Sequence, residues 1–229
     1  MKAHAEHARR IVKVQIYSLT SVADAVAVAD AGADLIGVVV ADSAAVPEGI
    51  DARTAREVLR AVSPRAIGVA LTTRTDPDEI CAMAEAVQPQ ILHIAAAVVS
   101  PEECDEIREQ IAPIKVMRTI GVKGPEAIRW ADIYQQATDY ILLDTYAGAA
   151  SSGGTGKPHD WTISKRVVER SRIPVVLAGG LAAENVEDAI RAVHPWAVDS
   201  FTKTDLPSQR GRKDIAAVKA FIQAVRAAQ

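Results

Sequence analysis

The chain has 229 residues, 49% of them apolar but only 4% aromatic, with a formal net charge of −3 and two cysteines. That length suits one domain over residues 1–229, because α/β barrels routinely exceed the usual ~150 residues per domain. Basic residues are scattered rather than gathered into a nucleic-acid footprint, Cys81 and Cys104 lack disulfide or zinc spacing, and no run nears the ~20 apolar residues of a membrane span.

The N-terminal MKAHAEHARR is basic, but a short strand-like run follows it instead of an apolar signal segment. A cytoplasmic protein with a small-molecule partner is therefore expected, with no membrane or nucleic-acid partner. From there, apolar runs recur at residues 11–16, 35–40, 66–71, 91–93, 114–117, 140–143, 174–177 and 197–198. Each is bounded by turn or cap signals, so eight strands are predicted. Between them, Thr20 or Ser21, Asp76-Pro77, Ser100-Pro101 and Gly124-Pro125 place a capping residue or an early proline where a helix can begin. In the first helix, Val22, Ala25, Val26 and Ala29 recur at helical spacing and are expected to face the sheet.

Eight β/α repeats in this length point to a single (β/α)8 barrel. An open dinucleotide-binding sheet would carry a glycine-rich loop after its first strand, and Tyr17-Ser18-Leu19-Thr20 holds no glycine. On a barrel, residues at the carboxyl ends of strands converge over one mouth. Tyr17, His93, Arg118, Asp144 and Asp199 are thus expected to be neighbours. Asp144 follows four largely apolar strand residues, which suits a general acid and equally a structural cap. Gly179-Gly180 follows the seventh strand, and a helix is expected near Ala182, so bare amides there suit a phosphate. His93 is a base or donor in one reading and a satisfied structural histidine in the other. Lys157 and Lys203 fall in mouth loops where an anion would meet them, and residues 146–158 are expected to form a lid.

The runs Leu142-Leu143-Asp144-Thr145, Gly153-Gly154-Thr155-Gly156-Lys157-Pro158-His159-Asp160-Trp161, Leu177-Ala178-Gly179-Gly180-Leu181 and Val198-Asp199 resemble phosphoribosylanthranilate isomerase. Ala31-Gly32-Ala33-Asp34 and Leu92-His93 extend the likeness over nearly the whole chain. The resemblance implies a (β/α)8 enzyme of tryptophan biosynthesis that performs an Amadori rearrangement. An acid at the ring oxygen opens a phosphorylated sugar, and a base at C2 moves a proton to give an aminoketose. It assigns the acid to Asp144, while position at the barrel mouth makes His93, Arg118 and Asp199 candidates for substrate binding and Gly179, Gly180, Ser200, Thr202 and Lys203 candidates for phosphate binding. No cofactor or metal is implied.

Three positions depart from the family pattern. The family's basic cysteine is Tyr17 here, the loop of residues 41–47 lacks the arginine that faces the substrate carboxylate, and Phe201 and Lys203 interrupt a serine-glycine phosphate run. A phenol of ordinary pKa near ~10 is about one part in a thousand ionised at neutral pH, so Tyr17 serves as a base only where something lowers that value. The expectation is an isomerase-like barrel with an altered substrate. The rivals are the ancestral reaction with Tyr17, His93 or Asp199 as base, and a barrel that binds a ligand without catalysis.

Overall fold

Aliphatic and β-branched residues fill strands buried on both faces, and the eight predicted runs all form such strands. The computed structural model describes residues 11–41, 46–145 and 158–229. The barrel strands are β1 (Lys13–Ile16), β2 (Leu35–Val40), β3 (Ile67–Thr72), β4 (Ile91–Ile94), β5 (Lys115–Val122), β6 (Tyr140–Thr145), β7 (Val175–Leu177) and β8 (Ala197–Ser200). All pair in parallel with their neighbours, and β1 bonds both β2 and β8, which closes the sheet. The helices are α1 (Val22–Asp30), α2 (Ala52–Val62), α3 (Pro77–Val87), α4 (Pro101–Gln110), α5 (Glu126–Tyr134), α6 (Trp161–Arg170), α7 (Val186–Val193) and α8 (Ile215–Ala227). The protein is a (β/α)8 barrel.

The caps act as anticipated. The Ser21 and Asp76 side chains accept from the backbone N–H groups of Asp24 and Glu79, and Ser100 forms a reciprocal capping box with Glu103. At Gly124-Pro125 the helix begins at Glu126 without a side-chain cap. The buried stripe of α1 is Ala25, Val28 and Ala29, whereas Val22, expected on that face, is 42% exposed.

Strand periodicity sorts the core into two layers. Tyr17, Leu35, Val69, Ile91, Met117, Leu142 and Val176 fill the barrel interior. Ile16, Ile36, Leu92, Ile94, Val116, Ile141 and Val198 point outward, against helix residues such as Val58, Ile80, Ile107 and Phe221. Cys81 and Cys104 are unpaired and buried in α3 and α4. Two features lie outside the repeat: Gly49–Ile50 pairs with the end of β2, and an antiparallel hairpin of Asp205–Leu206 and Gln209–Lys213 separates β8 from α8. Among the described residues no helix is long and apolar enough to cross a membrane.

Candidate active site

A cavity opens at the carboxyl ends of the strands, lined in part by Tyr17, His93, Thr119, Asp144, Gly179, Gly180, Asp199, Thr202 and Lys203. Of the anticipated residues that the structure describes, the cavity brings together all but two. The exceptions are Arg118 and Ser200. In the β4–β5 ladder His93 pairs with Met117 and Ile94 with Arg118, so the first pair faces inward and the second outward. Arg118 is 3% exposed in the outer layer, donating from Nη1 to the Ile94 carbonyl at 3.0 Å and lying over the Tyr134 ring. It is not a mouth residue. Ser200, also buried, donates its hydroxyl to the Leu181 carbonyl at 2.9 Å and holds the turn after β7.

The inward partner on β5 is Thr119, which the sequence reading missed because it ended that strand at Met117. β5 continues to Val122 and pairs Thr119 with Leu142 and Gly121 with Asp144. The extension raises Asp144 as a strand residue to the cavity rim, where its Oδ1 accepts from the Thr145 amide at 2.7 Å.

Across the cavity, Tyr17 is 4% exposed, and its ring rests on Gly37, where an added Cβ would come within 2.6 Å of the ring. Its hydroxyl lies 2.8 Å from His93 Nδ1, and His93 Nε2 lies 2.6 Å from the Thr119 hydroxyl. Burial, and then Arg118 behind it, hold the imidazole down to about 3, so His93 is neutral and donates through one nitrogen while accepting through the other. Burial, with the Asp199 charge adding to it, pushes the Tyr17 phenol well above its usual value. That shift is opposite to the one a basic phenolate needs.

Asp199 behaves differently. Its carboxyl is 8% exposed and is pushed up to about 7, chiefly by burial and further by the Asp144 charge, while a 3.1 Å hydrogen bond from Gln15 Nε2 and the Lys213 charge oppose the rise. A carboxyl poised there exchanges a proton near neutrality, the range in which general acid–base catalysis works best.

The anion side of the cavity is shaped by backbone. Gly179 and Gly180 have φ of +90° and +66°, and a Cβ on Gly179 would overlap the Thr145 hydroxyl. His159 bridges Thr145 and Ser164, at 3.3 and 2.6 Å, fixing the end of β6 to α6. The helix expected at Ala182 starts at Val186 instead, because the Asn185 side chain is occupied in holding the turn: its Oδ1 accepts from Ala182 N and its Nδ2 donates to the Gly180 carbonyl. The glycine pair is thus a braced turn rather than the first turn of a helix. Beside it, after the neighbouring strand β8, Phe201, Thr202 and Lys203 form a lip that runs into the 3-10 turn of Thr202–Thr204. Lys157, most of the expected 146–158 lid and residues 42–45 lie outside the described residues. No cluster of metal-ligating side chains occurs among the described residues.

Comparison with known proteins matches residues 14–224 to the family model described as N-(5'-phosphoribosyl)anthranilate isomerase. The chain is 36% identical over 226 residues to the protein of that name from Methanopyrus kandleri, and 33% identical over 216 residues to that from Methanocella arvoryzae. In each case 94% of this chain and 99% of the relative are covered. The crystal structure of phosphoribosyl anthranilate isomerase from Thermotoga maritima superposes with a TM-score of 0.81 at 29% identity, covering 94% of this chain and 99% of that one.

Proposed function

The chain belongs to the N-(5'-phosphoribosyl)anthranilate isomerase family of intramolecular oxidoreductases, and we propose that it isomerises a phosphorylated sugar derivative with Asp144 as acid and Asp199 as base. The observation that carries this reading is the pair of carboxyl groups reaching one cavity from β6 and β8, with Asp199 near 7 and Tyr17 firmly protonated.

In the family's Amadori chemistry the reactive form carries the one proton of the carboxyl pair on Asp144 and leaves Asp199 ionised: Asp144 gives that proton to the ring oxygen, the C1–O bond breaks, and an iminium forms between C1 and the amine nitrogen. Asp199 then takes the C2 proton. The electron pair of that C–H bond forms the C1=C2 bond, and the iminium electrons return to nitrogen. Protonation at C1 from solvent and loss of the hydroxyl proton at C2 give the aminoketose. Tyr17 contributes a hydrogen bond, not a base, and its ring narrows the floor beside the reacting carbons. The braced Gly179-Gly180 turn and Lys203 hold the phosphate, the amides by geometry and the ammonium by charge.

The ring of Tyr17, the bulky Phe201 and the arginine-free 41–47 loop support a substrate whose non-sugar part differs from anthranilate. Incubation of the purified protein with phosphoribosylanthranilate in deuterated water tests both points. Turnover that places one deuterium at C1 and falls by ~10²-fold or more in Asp199→Asn is expected for the base. A fully active Asp199→Asn protein would remove Asp199 from the mechanism. Turnover at ordinary enzymatic rates, ~10 s⁻¹, would overturn the altered substrate.

A further inference from the structure

Three side chains of the cavity form one continuous hydrogen-bond chain, in which the Tyr17 hydroxyl lies 2.8 Å from His93 Nδ1 and the Thr119 hydroxyl 2.6 Å from His93 Nε2. All three line the cavity, carried by β4, β5 and the residue after β1. A neutral imidazole has one N–H, so the chain holds three protons for two bonds, and one proton is left over. Its place fixes the direction of the chain. With the imidazole proton on Nδ1, His93 would donate to Tyr17 and leave the phenol proton without a further acceptor among the described residues, where Tyr17 is only 4% exposed. With the proton on Nε2, Tyr17 donates to Nδ1 and His93 donates to Thr119, so the proton left over belongs to a half-buried hydroxyl on the cavity wall. The second arrangement strands no buried donor. Bonds aligned in this order also polarise one another, and Thr119 thus meets the cavity as an uncharged donor.

Strands four apart in a closed ring of eight lie across it from one another, so β3 and β4 are on the far side from β7 and β8. Leu71 on β3, His93 on β4 and Thr119 on the next strand therefore line the end of the cavity away from Gly179-Gly180 and Lys203. A ligand with its phosphate on that cradle extends its non-sugar part toward Thr119. The wall it meets is otherwise apolar, with Leu71 and Leu142, and Lys203 is the one cation among the described lining residues. Arg118 stands behind His93 but is engaged outside the wall, on the Ile94 carbonyl and the Tyr134 ring, and residues 41–47 contain no basic side chain. Asp144 and Asp199 already bring two carboxyl groups to the same cavity. An anionic group at the Thr119 end would be desolvated against a single neutral donor, which is costly. An uncharged acceptor is matched by it.

We propose that Thr119, oriented by Tyr17 and His93, binds the non-sugar part of the substrate, and that the group it takes there is an uncharged hydrogen-bond acceptor such as the carbonyl of a carboxamide, not a carboxylate. This rests on the placement of the phosphate at Gly179-Gly180 and Lys203.

The test uses calorimetric binding of two reduced, unreactive analogues of the aminoketose phosphate, one carrying an ortho-carboxamide on its phenylamino group and the other an ortho-carboxylate, with ribose 5-phosphate as the probe of the phosphate half. None of them reacts, so the outcome does not depend on which residue is the base. Wild-type protein is expected to hold the carboxamide ~10-fold or more tighter than the carboxylate. Thr119→Val should lose ~10-fold in carboxamide affinity with ribose 5-phosphate unchanged, and Thr119→Ser should retain the wild-type affinities. Equal or tighter binding of the carboxylate, or a carboxamide affinity that Thr119→Val leaves unchanged, overturns the proposal. Ribose 5-phosphate that binds while neither analogue does overturns the Thr119 site alone, and failure of all three to bind overturns the phosphate placement with it. A second measurement needs only the wild-type fold: nitrogen-15 NMR of histidine-labelled protein, with His93 assigned by its loss in His93→Gln, should show Nε2 protonated and Nδ1 bare. The reverse tautomer overturns the proposal.

Discussion

The ends of β6 and β1 both reach one cavity, and each carries an ionisable group, yet their surroundings are opposed. Asp144 sits half-buried at the rim, with its own backbone neighbour as hydrogen-bond donor. Tyr17 is sealed on the floor between Gly37 and His93, where burial holds its proton. A strand-end position in a barrel thus makes a residue available to the site without giving it a role. Depth and partners decide what it can do: burial holds the proton on Tyr17, which is why the proposed base lies on β8 and not at the end of β1.

The hardest blow to this contrast comes from Asp144→Asn, which removes the acid but preserves its shape. A fall in kcat of ~10³-fold with KM within a few-fold is expected, read from steady-state kinetics. Unchanged turnover would make Asp144 a structural cap and favour a non-catalytic barrel.

Asp199 is next. Between about 4 and 7 its native carboxyl keeps a proton that the unfolded chain has released, so the native state binds more protons and stability falls as pH rises through that window. Asp199→Asn should abolish this slope, raising the Tm at pH 8 by an amount corresponding to ~1–3 kcal/mol and leaving it near wild type at pH 4. Identical slopes in thermal melts would show that the carboxyl titrates normally. His93 works in the opposite sense: held near 3, it binds fewer protons natively than unfolded, so its contribution is lost as pH falls from about 6.5 toward 3.

Tyr17→Phe should be milder. It removes a hydrogen bond to His93 but no base, so the expected loss in kcat is less than ~10-fold, with a stability cost of ~1–2 kcal/mol for the unpaired Nδ1. A loss matching that of Asp199→Asn would return the base to β1. Smallest is Ser18→Gly, immediately after Tyr17. Ser18 has φ of 63° and a buried hydroxyl without a partner, and relieving both should stabilise the protein by ~0.5–1 kcal/mol in chemical denaturation. A destabilised variant would mean that the hydroxyl is satisfied in solution.

Much of this was legible without coordinates. Eight apolar runs, proline and serine caps and two glycine-rich loops were enough for the barrel, because strand burial and helix capping are local properties that residue type encodes. Asp144, Gly179 and Gly180 were found because a strand end followed by glycine is a local pattern too. Arg118 was misplaced and Thr119 missed for one reason: adjacent strand residues point to opposite faces, and the phase of β5 becomes visible only when its ladder with β4 is seen.

The order of strands and helices and the family were thus determined by the sequence itself, since each depends on residue types a few positions apart. The proposal for the base came from tertiary structure. Whether Tyr17 or Asp199 gives up a proton at neutral pH depends on desolvation, on a hydrogen bond from Gln15 of β1 and on charges from β6, β8 and the hairpin, and these come together only in the closed barrel.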